Sequence, residues 1–186
     1  MVSTGDDVGG PLVASVGTQP AVLDFTAFYA ASHATVAGAL TLTIGDASLA
    51  AEATDEAMTR AYQRWATVSA YRNPTGWVYR VGLNWARSWF RRRREVASVW
   101  IDQPAATTAM ADPALDRALA ELDVKHRSVV VLRYLLDWSV AATADALDIA
   151  PGTVKSRLSR ALDLLEVRLR HLDDTRDDHD HEGTTP

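Results

Sequence analysis

The chain has 186 residues, 47% of them hydrophobic, and carries 19 Lys and Arg against 24 Asp and Glu for a formal net charge of -5, a composition suited to one or two small globular domains with modest cores. It contains no cysteine, which excludes disulfides, thiolate metal sites and cysteine nucleophiles and suits a reducing cytoplasm. The first residues lack a basic segment ahead of an apolar run, and no stretch offers roughly 20 uninterrupted apolar residues, so neither a signal peptide nor a membrane span is predicted.

Residues 1–20 and the acidic end, 173–186, are rich in turn formers or like charges and predict segments without structure. Between them the pattern is helical. Asp24 is placed to cap a first helix carrying Phe25, Phe28, Tyr29, Val36 and Leu40, which Gly45 ends. A second helix is predicted over 47–65, with Leu49, Ala53, Ala57, Ala61 and Trp65 on one side. Residues 65–74 read as a loop, and Asn73 with Pro74 forms an N-cap and first-turn pair for a third helix running through the segment WFRRRREV.

At about 100° per residue, Val78, Val81, Trp85, Ala86 and Trp89 share one side of this third helix, while Arg80, Arg87, Arg91 and Arg94 fall within about 60° of one another on the opposite side. A rigid cationic ridge backed by an apolar face suits a polyanion. Other polyanions, such as a membrane surface, also fit the ridge, but no exposed apolar anchor for one is evident. Residues 98–112, with prolines and small side chains, form a candidate linker.

Beyond the linker, two helices divide near residues 122–125, with Val129, Val130, Leu132, Leu135 and Leu136 available for packing. Ser139 can cap a short helix, and Pro151 stands in the first turn of a long one. Two helices joined by a short turn on two supporting helices is the plan of a helix-turn-helix. On the last helix Val154, Leu158, Ala161, Leu165, Leu169 and Leu172 form an apolar stripe, and Thr153, Lys155, Ser156, Arg157, Ser159 and Arg160 form the outer face of the first turns. Short hydroxyl side chains allow close approach, and Arg and Lys reach phosphates or guanine edges. Asp163 and Glu166 restrict that role to the N-terminal half, the half that meets bases in recognition helices.

Catalysis has no such support. The five histidines are scattered or lie in the acidic end, and no nucleophile, base and orienting group recur at motif spacing. The run DDHDHE has metal-ligating residue types, but nothing fixes their geometry. The expectation is an all-α, non-enzymatic protein with no cofactor and no metal.

These residues resemble the extracytoplasmic-function (ECF) group of bacterial sigma-70 sigma factors, the promoter-recognition subunits of RNA polymerase. PGTVKSRLSRAL and the upstream RSVVVLRYLLDWS look like the family's region 4. GDASLAAEATDEAMTRAYQRW and NPTGWVYRVGLNWARSWFRRRRE look like region 2. The resemblance implies a region 2 unit over 21–97, a linker over 98–112 and a region 4 unit over 113–172. It implies that Glu52, Asp55, Glu56, Met58 and Arg60 dock on the clamp helices of the polymerase largest subunit, with Glu56 foremost. It places Tyr71 beside a flipped base of the minus-10 element, Asn84 and Arg87 near its base-reading side, and Arg80, Arg91 and Arg94 on phosphates. Unstacking that base costs a few kcal/mol, which a pocket and nearby rings must offset. Trp77, Trp85 and Trp89 have the look of stacking platforms, but Trp85 and Trp89 share the apolar arc and read better as core. Thr153, Lys155, Ser156, Arg157 and Arg160 would read the minus-35 element. The implied partners are core RNA polymerase, promoter DNA and an inhibitory anti-sigma factor of the kind such proteins often have, in the cytoplasm and without membrane insertion.

The chain departs from the family pattern at Asp55 for glutamine, Asp123 for proline, Ala142 for glutamate, Asp148 for glycine and Ala150 for a capping Ser or Thr. A sigma-like helix-turn-helix regulator that does not engage polymerase is the alternative reading.

Overall fold

In a computed structural model the backbone is described for residues 24–96 and 113–181, and side chains for 24–93 and 115–170. The segments read as an unstructured N-terminus and as a linker lie outside the described residues. All regular structure among the described residues is helical: α1 (Phe25–Ile44), α2 (Ala47–Gln63), the single turn α3 (Trp65–Val68), α4 (Pro74–Val96), α5 (Pro113–Glu121), α6 (Val124–Val130) running into a π-helical turn (Val131–Leu135), α7 (Val140–Leu147) and α8 (Pro151–His181).

Local chemistry sets most helix ends. Asp24 accepts from the Thr26 amide at 3.2 Å and Asn73 from the Gly76 amide at 2.7 Å, while Ser139 accepts from the Ala142 amide at 3.1 Å. Each satisfies an orphan N–H of a first turn. Gly45 closes α1 at φ 80°, a left-handed conformation that favours glycine. Asp148 takes the same role after α7 at φ 57°, where Asp is among the few side chains that tolerate it. Asp123 itself caps α6, accepting from the His126 amide at 2.9 Å. Its carboxylate replaces proline as the helix-starting device. Ala150 offers α8 only its carbonyl, which accepts from the Thr153 amide at 2.9 Å.

Two boundaries differ from expectation. α2 stops at Gln63, because Arg64 leaves helical geometry at φ -123°, ψ 25°. The chain then makes the turn α3, which sets the Trp65 ring 4.8 Å from that of Phe28 and 5.3 Å from that of Phe25. The partly buried indole gains ring contacts in this position. At the other end, α8 continues as helix through the acidic segment to His181, where the sequence reading had no structure from residue 173. Extending an existing helix avoids the cost of a new nucleus.

α1, α2 and α4 form one three-helix core with Val36, Leu40, Ala53, Met58, Val78 and Tyr79 at its centre. The helices approach closely: a Cβ on Gly82 would lie 2.7 Å from Leu40 Cδ1 and 3.1 Å from the Ala53 carbonyl oxygen. Tyr79 is fully buried, its hydroxyl 2.7 Å from that of Thr43. By length and composition alone α1 is long and apolar enough to cross a membrane, with a mean hydropathy of 1.2 over 20 residues, although Ser32, His33 and four threonines interrupt its apolar run. Here it serves as a core helix: Phe28, Val36, Ala39 and Leu40 are buried, and His33 reaches Asp55 of α2 at 3.0 Å.

In the second unit α5, α6 and α8 enclose Ala118, Leu119, Leu122, Val130, Ala161 and Leu165, and α7 adds Ala144 against Val129 and Val154. Arg127 is buried at the joint. Its guanidinium donates to the carbonyls of Ala120 at 2.6 Å and Leu122 at 2.7 Å, at the end of α5, and to that of Thr43 at 3.4 Å, at the end of α1. A cation at two helix C-termini satisfies carbonyls that have no partner within their own helices. Burial lowers the pKa of Arg127, and the nearby Asp123 carboxylate works against that shift.

Candidate nucleic-acid interface

The wheel drawn for α4 matches its surroundings. Val78 and Ala86 are buried, Trp85 and Trp89 pack partly buried against the core, and Asn84, Arg87 and Arg91 are exposed. Arg94 lies in the same helix, with its side chain outside the described ones. Trp77 also packs against the core. Arg93, which is not one of the four arginines of the ridge, stacks 4.7 Å over the Trp89 ring, where a guanidinium gains from the ring's negative face. Tyr71 is 45% exposed, so its ring stands free of the core beside Arg72, Asn73, Gly76, Trp77 and Arg80 in a shallow cavity.

α8 is equally segregated. Val154 is fully buried, Thr153 and Arg157 are half-buried, and Lys155, Ser156 and Arg160 are exposed. The first turns thus hold the polar side chains on one rigid face, anchored from below by Val154. Among the described residues, Arg87, Arg91, Lys155, Arg157 and Arg160 have no carboxylate partner. Unpaired guanidinium and ammonium groups on ordered helices are what phosphate and base-edge contact requires.

The two basic faces meet. Arg87 of α4 and Arg157 of α8 line one cavity of about 450 Å³, together with Lys125 and Ser128. Arg80 departs from its expected freedom, lying 3.8 Å from Asp148 of the α7–α8 turn. Sequence reasoning missed this contact, which joins residues far apart in the chain, and the burial of Arg127, which depends on how the ends of α5 and α1 meet α6.

On α2 the expected docking residues divide. Glu52 and Asp55 are exposed, Asp55 bonded to His33; half-buried Glu56 accepts from Arg60 Nε at 2.8 Å. Met58 is a correction: at 2% exposed it belongs to the three-helix core and presents no surface to a partner. It lies on the side of α2 shared with Ala57 and Ala61, the apolar side. No cluster of His, Asp and Glu that could hold a metal occurs among the described residues, and the side chains of DDHDHE lie outside them.

Comparison with known proteins adds an independent line. The profile of the family described as Sigma-70, region 4 matches residues 113–165, which span α5 to the middle of α8. The chain is 36% identical over 149 residues to ECF RNA polymerase sigma factor SigL of Mycobacterium tuberculosis, covering 74% of this chain and 84% of that protein. It is 40% identical over 119 residues to RNA polymerase sigma-E factor of Streptomyces coelicolor, covering 61% and 67%. Its fold is similar to that of the sigma factor RpoE in complex with the anti-sigma factor NepR from Bartonella quintana, with a TM-score of 0.66 and 24% identity over 79% of this chain and 97% of that one. Two basic helical faces on a fold of this kind, with a relative matched over most of both lengths, place the chain in the ECF group of sigma-70 RNA polymerase sigma factors.

Proposed function

We propose that this sigma factor binds core RNA polymerase and directs it to promoters by reading the minus-35 element with α8 and the minus-10 element with α4. It is not an enzyme; it acts by binding. The observation that carries the division of labour is the polar face of the α8 N-terminal half, Thr153, Lys155, Ser156, Arg157 and Arg160, set over the buried Val154, whose three cations have no carboxylate partner among the described residues. That half of a recognition helix reaches base edges. Asn84 and Arg87 read minus-10 bases, Arg80, Arg91 and Arg94 hold phosphates, and Tyr71 stands where an unstacked base would need a ring. Residues 21–97 act as the minus-10 and polymerase-binding unit, 113–172 as the minus-35 unit, and 98–112 as their linker.

The exposed carboxylates Glu52 and Asp55, with the Glu56–Arg60 pair, form the acidic side of α2 offered to the clamp helices of the polymerase largest subunit. The site of action is the cytoplasm, where polymerase and promoter are. An anti-sigma factor is a further expected partner, since the structurally similar RpoE is held by one.

The test is Arg157→Glu. Reversing a charge at the minus-35 face should reduce transcription from a promoter dependent on that element at least tenfold, a loss of about 1.4 kcal/mol or more, with core binding on gel filtration unchanged. Equal loss of core binding would refute the assigned roles.

A further inference from the structure

We propose that the cavity where α4, α6 and α8 converge binds a small phosphorylated anion of the nucleoside di- or triphosphate class, and that the bound anion occupies Arg87 and Arg157 at the expense of promoter DNA. The binding site stands on the cavity alone. Its competition with DNA rests on the assignment of Arg87 and Arg157 in the reading above.

The cavity measures about 450 Å³, inside the roughly 300–1,000 Å³ range of small-molecule sites. Each of three helices contributes one cation to its lining: Arg87 from α4, Lys125 from α6 and Arg157 from α8. None of the three forms a salt bridge among the described residues. The carboxylate in the lining, Asp123, is already engaged, accepting from the His126 amide at 2.9 Å and lying 2.8 Å from His126 Nδ1. Three cations against one carboxylate leave the lining net positive. Like charges held round one concave space repel, and walls of one sign focus the field on an entering counter-ion. The cations also sit on fixed supports. Ser128, 1% exposed in the same lining, donates its hydroxyl to the Lys125 carbonyl at 3.2 Å, and Arg157 stands one turn beyond fully buried Val154.

The ligand class follows from what the lining offers. A guanidinium presents a planar fork that matches two phosphate oxygens, whereas an ammonium is a point charge that serves any of them. Two forks and one ammonium on different helices suit a chain of phosphates better than a single phosphate group, which one fork can satisfy. The rest of the wall is Val124, Leu147 and Ile149, each half-buried. Inorganic phosphate would leave that apolar surface wet, and a nucleobase would cover it. Double-stranded DNA does not fit, because a sphere of this volume is roughly 10 Å across, less than the width of about 12 Å of a major groove alone.

Isothermal titration calorimetry on the full chain, with ATP, GTP, sodium tripolyphosphate and adenosine as probes, tests the site. One ATP or GTP should bind per chain, at least about tenfold more tightly than tripolyphosphate, with no heat from adenosine. Lys125→Ala should weaken ATP binding at least about tenfold, and Lys125→Arg, which keeps the charge, should retain most of it. Lys125 is exposed and has no assigned DNA contact, so both variants should keep the parent's circular dichroism spectrum and promoter affinity. Saturating ATP should reduce the free parent's affinity for a promoter duplex at least about threefold relative to sodium chloride of equal ionic strength, competition being reciprocal, and should leave that of Lys125→Ala unchanged. Absence of ATP and GTP binding, equal affinity for tripolyphosphate, or ATP binding indifferent to Lys125→Ala would each overturn the nucleotide site. If ATP binds as expected while promoter affinity is unchanged, the competition is refuted, and with it the assignment of Arg87 and Arg157 to DNA, while the site itself stands.

Discussion

Arg127 is the residue whose replacement should cost most for its size. Its two short bonds, 2.6 and 2.7 Å, go to carbonyls at the end of α5, and bonds from a charged donor contribute about 1.5–3 kcal/mol each. Against this, its Nε is buried without a partner, which costs about 1–3 kcal/mol. The net loss predicted for Arg127→Met, which keeps volume and removes the donors, is about 2–4 kcal/mol, because the carbonyls left behind have no other protein donor. For a domain near 150 residues this lowers Tm by about 5–15 °C. Arg127→Lys keeps the charge, but its compact ammonium matches the forked geometry less well, so it should fall between the two. Urea and thermal unfolding followed by circular dichroism measure all three proteins. If Arg127→Met is within about 0.5 kcal/mol of the parent, the guanidinium is a tolerated burden rather than a joint, and the account of how the α5 and α1 ends are satisfied is wrong.

Three further perturbations test other parts. Tyr79 is held neutral by burial, which raises its pKa far above the ordinary phenol value, more than the Thr43 bond and the Arg87 charge lower it. The unfolded chain ionises near pH 10, so stability present below that pH is lost above it; Tyr79→Phe should cost about 1–2 kcal/mol at pH 7 and less in urea titrations above about pH 10. Asp123→Ala removes the α6 cap and should cost about 1 kcal/mol at pH 7. Burial raises the Asp123 pKa, but the His126 backbone bond and charge more than offset it and leave it lowered. The Asp123 contribution should therefore begin to fade as pH falls to the ordinary carboxylate value and be lost below it, as the lowered folded pKa is passed, where parent and variant melting temperatures converge. Glu56→Lys should weaken core polymerase binding at least about tenfold without changing the circular dichroism spectrum; an unchanged affinity would remove this side of α2 from the docking surface.

Features set by neighbouring residues were legible in the sequence. Asp24, Asn73 and Ser139 cap their helices as expected, since an N-cap needs only an amide two or three residues away. The α4 and α8 faces followed from helical period alone, because a side chain's direction is fixed by its place in the turn. Met58 was misplaced because the resemblance carried it over as a docking residue, whereas it shares the buried side of α2 with Ala57 and Ala61. Tyr79 and Arg127 went unread for a different reason. Tyr79's partner lies 36 residues away; two of Arg127's acceptors lie only 7 and 5 residues back, but they face it only once α6 folds against the end of α5, and the third, Thr43, is 84 residues away. Likewise the Arg80–Asp148 contact depends on how two units meet, although the Asp at the left-handed turn was visible as a departure from glycine.

The most direct measurement of the central claim is promoter-specific transcription by purified protein added to core RNA polymerase, with start sites mapped. Initiation at a defined promoter that is lost when either its minus-10 or its minus-35 element is scrambled is the predicted result. Binding to promoter DNA without co-elution with core, and no initiation above core alone, would contradict it and favour a DNA-binding regulator that does not engage polymerase.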